Sequence, residues 1–180
     1  MKKWIILLFV TVVIAGCQAN DEDTTPETGE TPSPVEEATL TLTTAIEEER
    51  YFEVNSLISD LEASDLTEEE QTEVKENAST QLIEAIDTVT SRFENDEMGV
   101  STFNNTLKEF EAIELDGVPE KVTEIRTQHE TLIASREAFR DGEKFMAIDY
   151  NAMAIDAFEQ VSEDDSNYEA AQNYIAELSE

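Results

Sequence analysis

Between Thr39 and Glu180 the chain carries one proline, Pro119, and three glycines, while apolar residues return every three or four positions. That spacing matches the 3.6-residue turn of an α-helix, so the apolar side chains gather on one face. Ile46, Val54, Leu57, Ile58 and Leu61 form one such stripe; Val74, Ala78, Leu82, Ala85, Ile86, Val89 and Phe93 form the next. No stretch sustains the period-two alternation of a half-buried strand. The expectation is an all-α domain, because each amphipathic helix must cover its apolar face with another.

Capping chemistry sets the boundaries. Thr67-Glu-Glu-Glu70 has the form of a capping box, and Ser166-Asn-Tyr-Glu169 repeats it. Asp116-Gly117-Val118-Pro119 reads as a turn with proline in the first helical turn that follows. Asn95-Asp96 and Asp141-Gly142 mark the remaining joins. These signals predict six helices in three antiparallel hairpins: 39–62 with 67–94, 100–115 with 119–140, and 143–162 with 166–179. Leu61, Phe110 and Phe158 occupy matching places in the first helix of each pair, 49 and 48 positions apart. A near-constant period of this size points to stacked hairpins, none able to bury its apolar face alone.

The last unit, Asp149-Tyr-Asn-Ala-Met-Ala-Ile-Asp-Ala-Phe-Glu-Gln-Val161 followed by Tyr168-Glu-Ala-Ala171, resembles a tetratricopeptide repeat. A tyrosine, small alanines and an aromatic come in the order that lets two helices of that family pack closely. Asp164-Asp165-Ser166 stands where the family usually has proline. The resemblance implies a right-handed array whose inner face holds peptides or partner proteins. Phe145, Tyr150, Met153 and Tyr174 become candidate contacts, since they fall partly outside the main stripes. A helix buried on two sides would place the same residues in the core.

The N-terminal part has a different character. Lys2 and Lys3 precede an uncharged apolar run, Trp4 to Ala15, which is shorter than the roughly 20 residues of a membrane-spanning helix. Positive start, short apolar centre and small residues before a break are the layout of a secretory signal peptide. The ending Ile14-Ala15-Gly16-Cys17 resembles the lipobox of bacterial lipoproteins. That resemblance implies cleavage between Gly16 and Cys17, a diacylglyceryl group on the Cys17 thiol, and anchoring at the extracellular face of the cell membrane. Two acyl chains give the lasting hold that one does not. Residues 18–38 hold three of the four prolines among Thr, Glu and Gly29, and read with Cys17 as a disordered acidic tether, 17–38. The expected organisation is therefore signal 1–16, lipidated tether 17–38 and helical domain 39–180.

The chain has 43 acidic and 11 basic residues, and losing Lys2 and Lys3 with the signal would take its formal charge from −32 to −34. Phosphate binding needs clustered cations, so nucleic acid is not an expected partner. No stretch has the spacing of a calcium loop. The only histidine, His129, lies on the stripe of Val122, Ile125, Leu132 and Phe139 that also carries Arg136, and is expected to be a structural residue held by a nearby carboxylate. With one cysteine, one histidine and neither a phosphate loop nor a serine elbow, no catalytic residues, metal site or cofactor are expected. The leading expectation is a non-enzymatic envelope lipoprotein that scaffolds a protein or peptide. Behind it stand a surface binder of cations or small ligands through the acidic faces, and then an envelope hydrolase using a carboxylate pair.

Overall fold

The computed structural model describes residues 32–179. Segment 1–16, Cys17 and tether residues 18–31 lie outside the described residues. Helix is the only regular structure described: α1 (Pro34–Glu47), a 3-10 turn (Tyr51–Glu53), α2 (Val54–Glu62), α3 (Glu68–Glu94), α4 (Val100–Glu111), α5 (Val118–Gln128), α6 (Glu130–Met146), α7 (Asn151–Phe158) and α8 (Tyr168–Leu178). The all-α expectation holds, with the six expected helices divided into eight.

The tether expected to reach residue 38 ends earlier. Ser33 caps α1 in a capping box, its Oγ accepting from the Glu36 amide at 3.2 Å while its own amide donates to Glu36 Oε2 at 2.7 Å. Pro34 supplies the first helical residue, and Val35 and Ala38 rest against the core. A composition typical of a linker here encodes a helix start. The Thr67 box at α3 forms as expected, with Glu70 Oε2 accepting from the Thr67 amide at 2.8 Å. The box expected at Ser166–Glu169 does not form: Asn167 precedes α8 without a side-chain cap, because its amide donates to Asp165 Oδ1. Hydrogen bonding of the carboxylate form holds Glu36 and Glu70 below the usual glutamate range.

Three helices end on a residue in the left-handed region: α1 at Glu49 (φ 56°), α3 at Asp96 (φ 60°) and α6 at Asp149 (φ 60°). At each, two backbone bonds close a Schellman turn. The Arg50, Glu97 and Tyr150 amides donate to the carbonyls of Ala45, Arg92 and Phe145, at 2.8, 2.9 and 3.0 Å. The expected 39–62 helix is therefore interrupted between α1 and α2. The repeating structural unit is a helix, a left-handed turn and a shorter helix, seen in α1–α2, α3–α4 and α6–α7.

Asp141-Gly142, expected to be a join, lies inside α6. A Cβ on Gly142 would stand 2.5 Å from Phe158 Cε1, so the missing side chain lets α7 close onto α6. The expected 119–140 helix is broken for one residue at His129 (φ −108°, ψ 13°), where α5 passes into α6. Gly117 takes φ 84° before α5, a conformation that favours glycine.

α3 meets α1, α2, α4 and α5; α6 meets α4 and α7; α7 meets α8. A large core joins α1 through α5, with Phe93 and Phe103 stacked at 4.0 Å and Tyr51 4.2 Å from Phe110. Burial pushes the Tyr51 hydroxyl up to about 12, with the Glu49 charge adding to the shift. A smaller core gathers Ala154, Phe158, Val161 and Ala171 between α6, α7 and α8.

Candidate functional site

The two cores meet at Arg136 on α6, which is 93 % buried judged by its 7 % exposure. Its guanidinium lies 4.4 Å over the Phe93 ring and donates to the Phe93 carbonyl and, at 3.4 Å, to the Glu94 carbonyl. These carbonyls belong to the last turn of α3, where a cation also meets the negative end of the helix dipole. Asp96, the left-handed residue of that turn, pairs with Arg136 at 2.5 Å. Asp165, from the loop between α7 and α8, faces the same guanidinium at 4.0 Å with a fully buried side chain. Its Oδ1 accepts from the Asn167 amide at 2.9 Å, so the residue that stands near the proline position of the resembled repeat organises the entry to α8.

His129 is half-buried beside this junction. Its Nε2 lies 2.7 Å from Glu94 Oε1 and its Nδ1 3.0 Å from the Ile125 carbonyl oxygen. The stripe carrying His129 and Arg136 therefore leads to the end of α3, and both side chains are engaged in tying α6 to it. Asp141, also on α6, is partly desolvated, which alone would raise its pKa; hydrogen bonds from Arg140 and Lys144 outweigh this and hold it low.

The four candidate contact residues separate into two pairs. Phe145 and Tyr174 pack against the small core, Tyr174 lying 5.1 Å from the Phe158 ring and 6.2 Å from Phe139. Tyr150 and Met153 stand outside it, 57 % and 47 % exposed. Ile148, 56 % exposed, joins them from the same α6–α7 turn and was not singled out by sequence. The left-handed Asp149 turns the chain between Ile148 and Tyr150, so neither follows the apolar stripe of α6 into the core. Phe52, 71 % exposed, occupies the turn between α1 and α2, again just beyond a left-handed residue. For Ile148 and Tyr150 a sequence signal exists, since both flank the turn-forming Asp149.

Among the described residues no three His, Cys, Asp or Glu side chains are grouped so as to hold a metal ion, and no helix is long and apolar enough to cross a membrane. Comparison with protein-family models, curated proteins and solved structures finds no match to this chain.

Proposed function

We propose that the chain is a non-enzymatic bacterial lipoprotein, held by a diacylglyceryl group on Cys17 at the extracellular face of the membrane, whose helical domain binds another envelope protein or peptide. The observation that carries the binding reading is the exposed trio of Ile148 and Tyr150 on the α6–α7 turn and Met153 in the first turn of α7. Tyrosine and methionine serve well as interface anchors, the first by its large rigid ring and the second by its adaptable thioether. A formal charge near −32 and the exposed Asp149 within the trio favour a partner whose apolar anchor is flanked by lysine or arginine.

The tetratricopeptide-like reading is part of the same proposal. It is supported by the buried Ala154 and Ala171, which with Phe158 let α7 and α8 approach closely, and by the three recurrences of helix, left-handed turn and short helix. Anchoring at Cys17 rests on the lipobox-like sequence Ile14-Ala15-Gly16-Cys17.

Expressing cells test the anchor, and the protein purified from them in detergent tests the binding face. Labelled palmitate should enter the wild type and not Cys17→Ala, which should leave the membrane fraction. The double variant Tyr150→Ser, Met153→Ser should fold as the wild type and lose at least about tenfold in affinity for the captured partner. Unchanged membrane retention of Cys17→Ala would remove the anchor, and unchanged capture by the double variant would remove the binding face.

A further inference from the structure

The rare basic residues are not spread evenly. A cleft of about 530 Å³ between α4 and α6, completed by α5, is lined by Lys108, Arg126 and Arg140, with Glu137 as its one acid. Two other clefts show the opposite balance, the one between α1 and α2 lined by Glu37, Asp60 and Asp65 and one between α1 and α3 by Glu47, Glu49 and Glu84, each without a basic residue. The cleft holding Arg136 and the other side of Arg140 matches them with Asp96 and Glu143. In a chain with 43 acids and 11 bases, a cleft lined by three cations and one acid runs against the composition.

The pairing of these cations carries the point further. The other basic residues among those described each have a carboxylate within 4.0 Å, whereas Lys108 has none among the described residues. Arg126 has only Glu111, at 3.4 Å. Arg140 is oriented by Asp141 at 2.9 Å and turns its Nη1 to Ser101 Oγ at 3.0 Å. Glu137 is occupied by the Asn104 amide at 2.8 Å. The polar residues of α4 recur at 101, 104, 105 and 108, one helical face, and Ile133, Glu137 and Arg140 do the same on α6. Two helix faces thus present cations and neutral hydrogen-bonding groups to one space of ligand size.

We propose that this cleft binds a small oxyanion-bearing ligand, a carboxylate or a phosphate monoester, with Lys108, Arg126 and Arg140 meeting the anion and Ser101 and Asn105 meeting adjacent hydroxyl groups. Charge-assisted bonds from arginine to such oxygens are the strongest polar contacts available here. The site lies on α4, α5 and α6 and does not depend on the α6–α7 turn.

The test uses the mature protein in detergent, with glycerol 1-phosphate and glucuronate as probes, glycerol as the uncharged control, and ionic strength held constant. Side-chain amide signals of Asn104 and Asn105 should shift saturably with at least one anionic probe and not with glycerol. The anion that saturates identifies the source. Lys108→Gln and the charge reversal Lys108→Glu, both at an exposed position, should weaken binding by about tenfold or more, and Lys75→Gln on α3 should leave it unchanged. Absence of saturable shifts up to about 20 mM would overturn the proposal, as would equal weakening by Lys75→Gln.

Discussion

The α1–α5 core buries 22 apolar side chains among the described residues, whereas the α6–α8 core has four and completes itself with half-buried Phe139, Phe145 and Tyr174. The first is self-sufficient: its stripes come from five helices, and its buried polar residue Thr90 returns its hydroxyl to the Ile86 carbonyl at 2.8 Å. The second relies on close approach at Gly142 and on the polar junction at Arg136 and Asp165 to hold it against the first. Few buried side chains mean little stabilisation to offset chain ordering, so the small core belongs at the low end of local stability. The exposed Ile148, Tyr150 and Met153 lie on that less stable part, where adjustment to the proposed partner would cost least.

Removing the junction is the most damaging way to break this difference. Arg136→Ala leaves Asp165 buried without its cation and the last carbonyls of α3 without their donor, a loss of about 3–5 kcal/mol. Denaturation should show that loss, and hydrogen exchange should place it first in α7 and α8, with the α1–α5 core retaining more of its protection. Uniform loss across both cores would contradict their separation.

Alkali attacks the large core instead. The Tyr51 pKa is raised from 10.0 to about 12, so folding favours the protonated phenol. Its contribution is complete below about pH 10 and is lost as pH rises toward 12, about 2–3 kcal/mol in all. Stability measured from pH 9 to 12 should fall less steeply in Tyr51→Phe than in the wild type.

Paired glycine substitutions sharpen the comparison at a smaller scale. Gly142→Ala forces a methyl group into the Phe158 ring and should cost about 1–3 kcal/mol by thermal or chemical denaturation. Gly99→Ala meets nothing within 4 Å and should change stability by less than about 0.5 kcal/mol. Against that near-neutral control, Asp149→Gly should stabilise by about 0.5–1 kcal/mol, because glycine adopts the left-handed turn without the steric penalty of a side chain.

Helix content was legible because stripes such as Val74 to Phe93 are local and repeat at the helical period. The Thr67 cap was legible for the same reason, being complete within four residues. The left-handed turns at Glu49 and Asp149 were hidden by the absence of glycine, the usual marker of such a cap. Asp141-Gly142 misled because a glycine needed for contact with Phe158 has the same local appearance as a glycine needed for a turn. Arg136 and Asp165 are 29 positions apart, and no periodic pattern announces a pairing made only when α8 is in place. Of the candidate contacts, hydrophobicity could not separate Phe145 and Tyr174 from Tyr150 and Met153. The distinction is tertiary: the Asp149 turn takes Tyr150 off the stripe that buries Phe145, and α8 turns Tyr174 onto Phe139 and Phe158.

Photo-crosslinking in intact cells addresses the central claim most directly. A benzophenone side chain placed at position 150 of the otherwise native chain should yield a discrete adduct with an envelope protein, and the same group at position 76 on the exposed side of α3 should not. The adduct should disappear with Met153→Ser and Ile148→Ser together. Equal adducts from positions 150 and 76, or none from position 150, would contradict a binding face on the α6–α7 turn.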